Sequence, residues 1–206
     1  MTLDTAFRLA IALAALAAAI IAAVFRSDHV GQAGRPRPNP GAPRSDRTTR
    51  WLLASVSVVL GGLVAGAAIK PQGMAPWQIG LSSLWRGIGI PVVLAGLVLF
   101  RQSLLALGRS WANSDRPYAD SILVTEGVYR WVRHPYYTAT FLLLTGITLL
   151  ANQWPIAIGS LFLAALLGLR AHREEIYLAE KFGAPYRLYK NRTGMFIPQA
   201  GIWKRF

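Results

Sequence analysis

Trp51-Leu-Leu-Ala-Ser-Val-Ser-Val-Val-Leu-Gly-Gly-Leu-Val-Ala-Gly-Ala-Ala-Ile69 runs nineteen residues without a charge. Wound as a helix at about 1.5 Å per residue, it reaches across a hydrocarbon layer about 30 Å thick. Upstream, Phe7 to Phe25 has the same character after Arg8, rich in Ala, Ile and Leu. Downstream, Ile79 to Phe100 carries a single charge at Arg86 and becomes continuous from Gly87, with a kink expected at Pro91. Hydrophobic residues make up 53% of the chain and charged residues 15%. Because the apolar residues come in such blocks, the expected fold is an all-α integral membrane protein, and a soluble enzyme is excluded.

The first apolar run is too long for the core of a secretory leader, and Asp4 with one Arg8 makes a poor positive start, so it reads as a mature helix. The chain has no cysteine, which excludes a disulfide framework, a thiolate metal site and a cysteine nucleophile. The net charge of +13 would point to nucleic acid in a soluble protein, but here the basic residues are sorted by loop. Six lie between Arg26 and Arg50, five between Arg101 and Arg133, and eight from Arg170 onward, so nineteen of 22 fall on one side of the membrane. By the positive-inside rule that side is cytoplasmic. The N-terminus is then outside and the C-terminus inside, an orientation that needs an odd number of crossings, and the cationic loops face anionic headgroups. No nucleic-acid partner is expected.

Two shorter apolar runs complete the count. Tyr136 to Ala151 and Ile156 to Leu169 span ~24 and ~21 Å as helices, and Asn152-Gln153-Trp154-Pro155 between them is a turn signal. They are expected to form a tight helical hairpin over 136–169, giving five transmembrane helices in all, followed by a cytoplasmic helical extension. Residues 1–103 form an N-terminal three-helix region and 104–206 a C-terminal core, integrated in one membrane domain. The segment 26–50, with its four prolines and little apolar content, reads as a flexible connector.

Both ends of such a hairpin return to the cytoplasmic side, so Gly127-Val-Tyr-Arg-Trp-Val-Arg-His-Pro-Tyr-Tyr137 meets Arg170-Ala-His-Arg-Glu-Glu175. Polar groups at the edge of the hydrocarbon are costly unless they bind something or bind each other. Pro135 suits the first turn of a helix, where its missing N–H has no partner to lose, and His134 falls at the cap. The N–H groups of that turn, with Arg133 and His134, would seat a carboxylate or phosphate. Arg170, Arg173, Glu174 and Tyr177 fall on one helical face and Glu175, Leu178 and Phe182 on another. The bland alternative is an i, i+4 pair of Arg170 with Glu174 as the helix leaves the membrane.

Taken in order, Leu107-Gly-Arg-Ser-Trp111, Thr125-Glu-Gly-Val-Tyr129, Arg133-His-Pro-Tyr-Tyr137, Glu174-Glu175 and Phe182-Gly-Ala-Pro-Tyr-Arg-Leu-Tyr189 before Ile197-Pro198 form an ordered set. This set resembles the isoprenylcysteine carboxyl methyltransferase family and its phospholipid methyltransferase relatives, over about Leu104 to Pro198. The resemblance implies a membrane enzyme that takes a methyl group from S-adenosylmethionine without a Rossmann domain. It places Arg133, His134, Pro135, Tyr137, Glu174 and Glu175 around the cofactor. The sequence agrees on the missing Rossmann domain: Gly87-Ile-Gly89 has neither a preceding strand nor a following acidic residue, and reads as helix packing.

Methyl transfer is an in-line displacement that needs alignment and exclusion of water. The catalytic candidates are Arg133, Arg170, Arg173 and Glu174. An arginine of this set would clamp a carboxylate acceptor, whereas an amine or hydroxyl would call on Glu174, Glu175 or His134 to accept a proton. The acceptor is expected to be lipidic or a small hydrophobic molecule entering laterally, and the setting a bacterial inner membrane with the site cytoplasmic. Two rival readings are a membrane steroid-type reductase using NADPH and a non-catalytic scaffold.

Other residues take plainer roles. Arg109, Trp111 and Tyr129 read as interfacial anchors rather than ligands, and Phe182, Tyr186 and Tyr189 read as packing, with Gly183 a helix stop. His29 and His172 read as solvated, and no metal constellation is present.

Overall fold

The computed structural model describes residues 2–32, 47–69, 75–107 and 123–199. Six α-helices follow in order: α1 (Leu3–Gln32), α2 (Arg47–Ile69), α3 (Ser83–Leu107), α4 (Pro135–Ala151), α5 (Trp154–Phe182) and α6 (Ala184–Arg192). A 3-10 turn over Gly127–Arg130 precedes α4. Among the described residues there is no strand, only the isolated bridges Gln78 with Gln153 and Val132 with Gly194.

Helix limits follow local chemistry. α1 opens on Thr2, whose hydroxyl and carbonyl both accept from the amide of Thr5, with Asp4 in the positive first turn. α4 opens as expected, with His134 at the cap and Pro135 in the first turn. It ends at Asn152, which takes a left-handed conformation (φ 56°) that asparagine tolerates better than most residues. Pro155 stands in the first turn of α5, and Gly183 at φ 59° breaks α5 from α6.

α1, α2, α3 and α5 are long and apolar enough to cross a membrane, while the apolar α4 is shorter at 17 residues. Several limits differ from the hydropathy reading. α3 starts at Ser83 rather than Ile79, because the Ile79 and Leu81 amides are held by the Asn152 carbonyl and side chain at 3.0 and 2.9 Å. Helix also covers 26–32 and 47–50, within the expected connector, whose residues 33–46 lie outside the described set. A helix needs only its own backbone hydrogen bonds, so it outruns the apolar stretch that reports its surroundings.

α3 and α4 approach closely at glycines. A Cβ on Gly146 would lie 2.6 Å from Val93 Cγ2 and 2.9 Å from its backbone nitrogen, and one on Gly89 would lie 2.9 Å from the Gly146 carbonyl. Gly89 is therefore packing, as expected for Gly87-Ile-Gly89, whereas Gly87 meets nothing within 4 Å. Phe7 and Ile11 of α1, Leu60 of α2, Val93 and Leu104 of α3, Leu143 and Leu150 of α4 and Ile156 of α5 share one core. Outside it, Val58 is 74% exposed and Leu161 73%, as befits surfaces facing lipid rather than water. The lone charge of the third apolar run is satisfied: Arg86 bonds Asp4 at 2.5 Å and the Leu150 carbonyl at 3.3 Å, with its guanidinium over the Phe7 ring.

Candidate functional site

The start of α4, the C-terminal part of α5 and the end of α6 converge on one carboxylate. Glu175, 4% exposed, accepts from Arg133 Nε at 2.6 Å and lies 3.0 Å from Lys190 Nζ. The Arg133 side chain is 8% exposed, and its Nη1 donates to the carbonyls of Lys190 and Thr193. His134 Nε2 stands 3.7 Å from Glu175 Oε1, a charge contact when the ring is protonated but too long for a hydrogen bond. This buried nitrogen has no hydrogen-bond partner, and neither does the buried Tyr186 hydroxyl.

Glu174 points elsewhere. It is exposed, and its Oε2 accepts from the Tyr137 hydroxyl at 3.0 Å. Tyr137 is buried beside His134, with ring centroids 5.5 Å apart, and packs edge-on to Tyr136. Arg170 is half-buried and acts electrostatically on Tyr137, while Arg173 is exposed. Burial pushes the Tyr129 phenol well above its ordinary range, and the nearby Glu174 charge adds to the effect. Burial likewise raises Tyr186, with Glu175 contributing.

The last described segment, 193–199, lies across the start of α4. The Arg133 and His134 amides donate to the carbonyls of Gly194 and Met195 at 2.8 and 3.1 Å, and the Thr138 hydroxyl donates to that of Phe196 at 2.9 Å. Phe196 then packs edge-on to Phe141, with centroids 5.1 Å apart, and sits 6.0 Å from His134. Tyr189 donates to the Tyr129 carbonyl at 2.6 Å, fastening α6 to the 3-10 turn.

The fold thus brings Arg133, His134, Pro135, Tyr137, Glu174 and Glu175 together, with Arg170 close by. The expected anion seat is altered, because the Arg133 guanidinium is engaged by Glu175 and the Arg133 and His134 amides, just before the first turn of α4, are engaged by segment 193–199. Sequence reasoning missed Lys190 and the segment's backbone. The only signal for the latter was Ile197-Pro198 at the end of the motif set. His172 is exposed, as read; Arg109 and Trp111 lie outside the described residues, as does the side chain of His29. No group of three potential metal ligands occurs among the described residues.

Higher along the helices, α1, α2, α4 and α5 border an apolar cavity of 410 Å³ lined by residues including Ile11, Leu60, Val64, Leu144 and Leu163.

Fold and site together define a helical membrane protein with a polar cluster where apolar helices end. Residues 88–180 match the model of the isoprenylcysteine carboxyl methyltransferase (ICMT) family, so the resemblance read from the motifs is borne out. The protein-S-isoprenylcysteine O-methyltransferase of Saccharomyces cerevisiae is 33% identical over 114 residues, covering 54% of this chain and 48% of the relative. The Xenopus laevis enzyme of the same name is 34% identical over 115 residues, covering 54% and 40%. An uncharacterized Bacillus subtilis protein, YpbQ, is 32% identical over 100 residues, covering 48% and 59%. A structure of the eukaryotic intramembrane Ras methyltransferase ICMT superposes with a TM-score of 0.52 at 26% identity, covering 75% of this chain and 53% of that one. The chain spans about half the length of the curated relatives it matches.

Proposed function

We propose that this chain is a membrane methyltransferase that uses S-adenosylmethionine to methylate a nucleophile on a lipidic or small hydrophobic acceptor. The observation that carries the reading is the meeting of Tyr137 and Glu174 at 3.0 Å, within the region that matches the family. The relatives' names specify an isoprenylcysteine acceptor, and a carboxylate on a molecule with a long apolar tail is the acceptor class that follows.

The donor set fits the cofactor. S-adenosylmethionine presents an ammonium and ribose hydroxyls, which suit the exposed Glu174 carboxylate, and an adenine and a sulfonium, which suit the aromatic edge formed with Tyr137. His134 Nε2, buried and without a hydrogen-bond partner, is a further polar atom at the same place. When bound, the cofactor supplies an electrophilic methyl group. Tyr137 orients Glu174, while Arg170 and Arg173 hold a carboxylate acceptor in register. For an acceptor bearing a proton, Glu174 is the group to take it. His134, Tyr137 and Phe196 keep water away.

In this reading α4 and α5 form a hairpin and α1 to α5 all cross, the shorter α4 included, with the N-terminus outside and the site cytoplasmic. Residues 104–206 carry the chemistry on the support of 1–103, and the acceptor's tail enters from the bilayer. The apolar cavity among α1, α2, α4 and α5 supports the use of hydrocarbon ligands. A bacterial inner membrane is the setting of this proposal.

The test is binding of S-adenosylhomocysteine and of NADPH, side by side, to the detergent-purified chain and to Glu174→Ala. The expected result is saturable binding of the first alone, weakened about tenfold or more by the substitution, as for loss of a hydrogen bond to a charged group. Binding of NADPH alone would move the protein to the reductases.

A further inference from the structure

Adjacent residues on a helix point about 100° apart, and here that separation sends two neighbouring carboxylates into different surroundings. Glu174 is exposed and touched by Tyr137, whereas Glu175 is buried and surrounded by Arg133, Lys190 and His134. We propose that the pair is divided in function: Glu174 faces the ligand, and Glu175 is a positioning residue that latches segment 193–199 across the start of α4. This inference rests on the proposed function only for the identity of the ligand.

The latch can be followed atom by atom. Glu175 Oε1 holds Arg133 Nε, and the same guanidinium reaches the Lys190 and Thr193 carbonyls at the end of α6. Glu175 Oε2 holds Lys190 itself. One carboxylate therefore fixes both the residue that begins the α4 cap and the residues from which the segment departs. With that point fixed, the Gly194, Met195 and Phe196 carbonyls align with the Arg133 and His134 amides and the Thr138 hydroxyl. Phe196 comes to rest between Phe141 and His134 and walls the site. A carboxylate already holding two cations at 4% exposure has little left to offer a ligand. Removing its charge leaves Arg133 buried without a counterion, which favours release of the guanidinium and of the segment it holds. Gly194 is part of the device, since a Cβ there would run into the Ile197 carbonyl.

The latch is read by hydrogen exchange of the Arg133 and His134 amides in the full-length purified chain, alongside S-adenosylhomocysteine affinity. Glu175→Gln, Lys190→Met and Gly194→Ala are expected to share one phenotype, with both amides exchanging about tenfold faster or more and affinity falling with them. Glu175→Asp should restore part of both. Glu174→Ala should lower affinity with exchange unchanged. Lys190 is 47% exposed, so its variant stays folded even if the buried ones do not.

Weaker affinity in Glu175→Gln with unchanged exchange would make Glu175 a direct ligand and overturn the division. Faster exchange with unchanged affinity would overturn the claim that the segment walls the site. If the wild-type chain binds no S-adenosylhomocysteine, the methyltransferase reading fails; the latch is then supported by faster exchange in the three variants and refuted by its absence.

Discussion

Tyr137 and Glu174 are 37 positions apart, and their hydrogen bond is made by one phenolic hydroxyl. Tyr137→Phe keeps the buried ring and removes only the donor. It should therefore leave thermal stability within about 1 kcal/mol of wild type while lowering S-adenosylhomocysteine affinity three- to tenfold, measured by calorimetry. Unchanged affinity would remove the hydroxyl's orienting role. At this scale the sequence was informative about which residues are candidates and not about role. Arg133, His134, Tyr137 and the glutamate pair stand out as residues too polar for their surroundings, and Pro135 as the start of a helix. Helical spacing also puts Glu174 and Glu175 on different faces. Which face is open depends on where Arg133 and Lys190 arrive, and those lie 42 and 15 positions from Glu175.

Among the elements, α3 and α4 depend on contact between backbones. A methyl group on Gly146 would press on Val93 and the Gly89 carbonyl, where backbone atoms cannot yield, so Gly146→Ala should destabilise the protein by about 1–3 kcal/mol through overpacking. Gly61 meets nothing within 4 Å, and Gly61→Ala should be neutral or slightly stabilising through helix propensity. Thermal unfolding of both variants in one detergent checks the contrast; equal melting temperatures would refute it. Both glycines occur in apolar runs and look alike in sequence. Only the partner helix distinguishes them, as it distinguishes Gly89 from Gly87. By contrast, the cap at His134 and the stops at Asn152 and Gly183 were legible, because a cap is a local event of a few residues.

Over the whole molecule, the distribution of basic residues predicts which side each end occupies. The chain has no cysteine, so Thr2→Cys and Gln199→Cys each give a single reporter. In intact cells a membrane-impermeant thiol reagent should label the first and reach the second only after permeabilisation; the reverse pattern would invert the proposed orientation. The Arg86 cluster ties the beginning of α1 to α3 and to the end of α4, so the N-terminal helices brace the fold at the end of α4 opposite the site. From sequence alone came the membrane class, the cap at His134, the stops at Asn152 and Gly183 and the family resemblance, since hydropathy, capping and motif order are properties of neighbouring residues. Tertiary structure alone decided which glutamate is buried, which glycine is crowded and how segment 193–199 crosses α4. Those outcomes depend on charges and backbones brought together from up to about sixty positions apart, where a linear pattern carries no record of the partner.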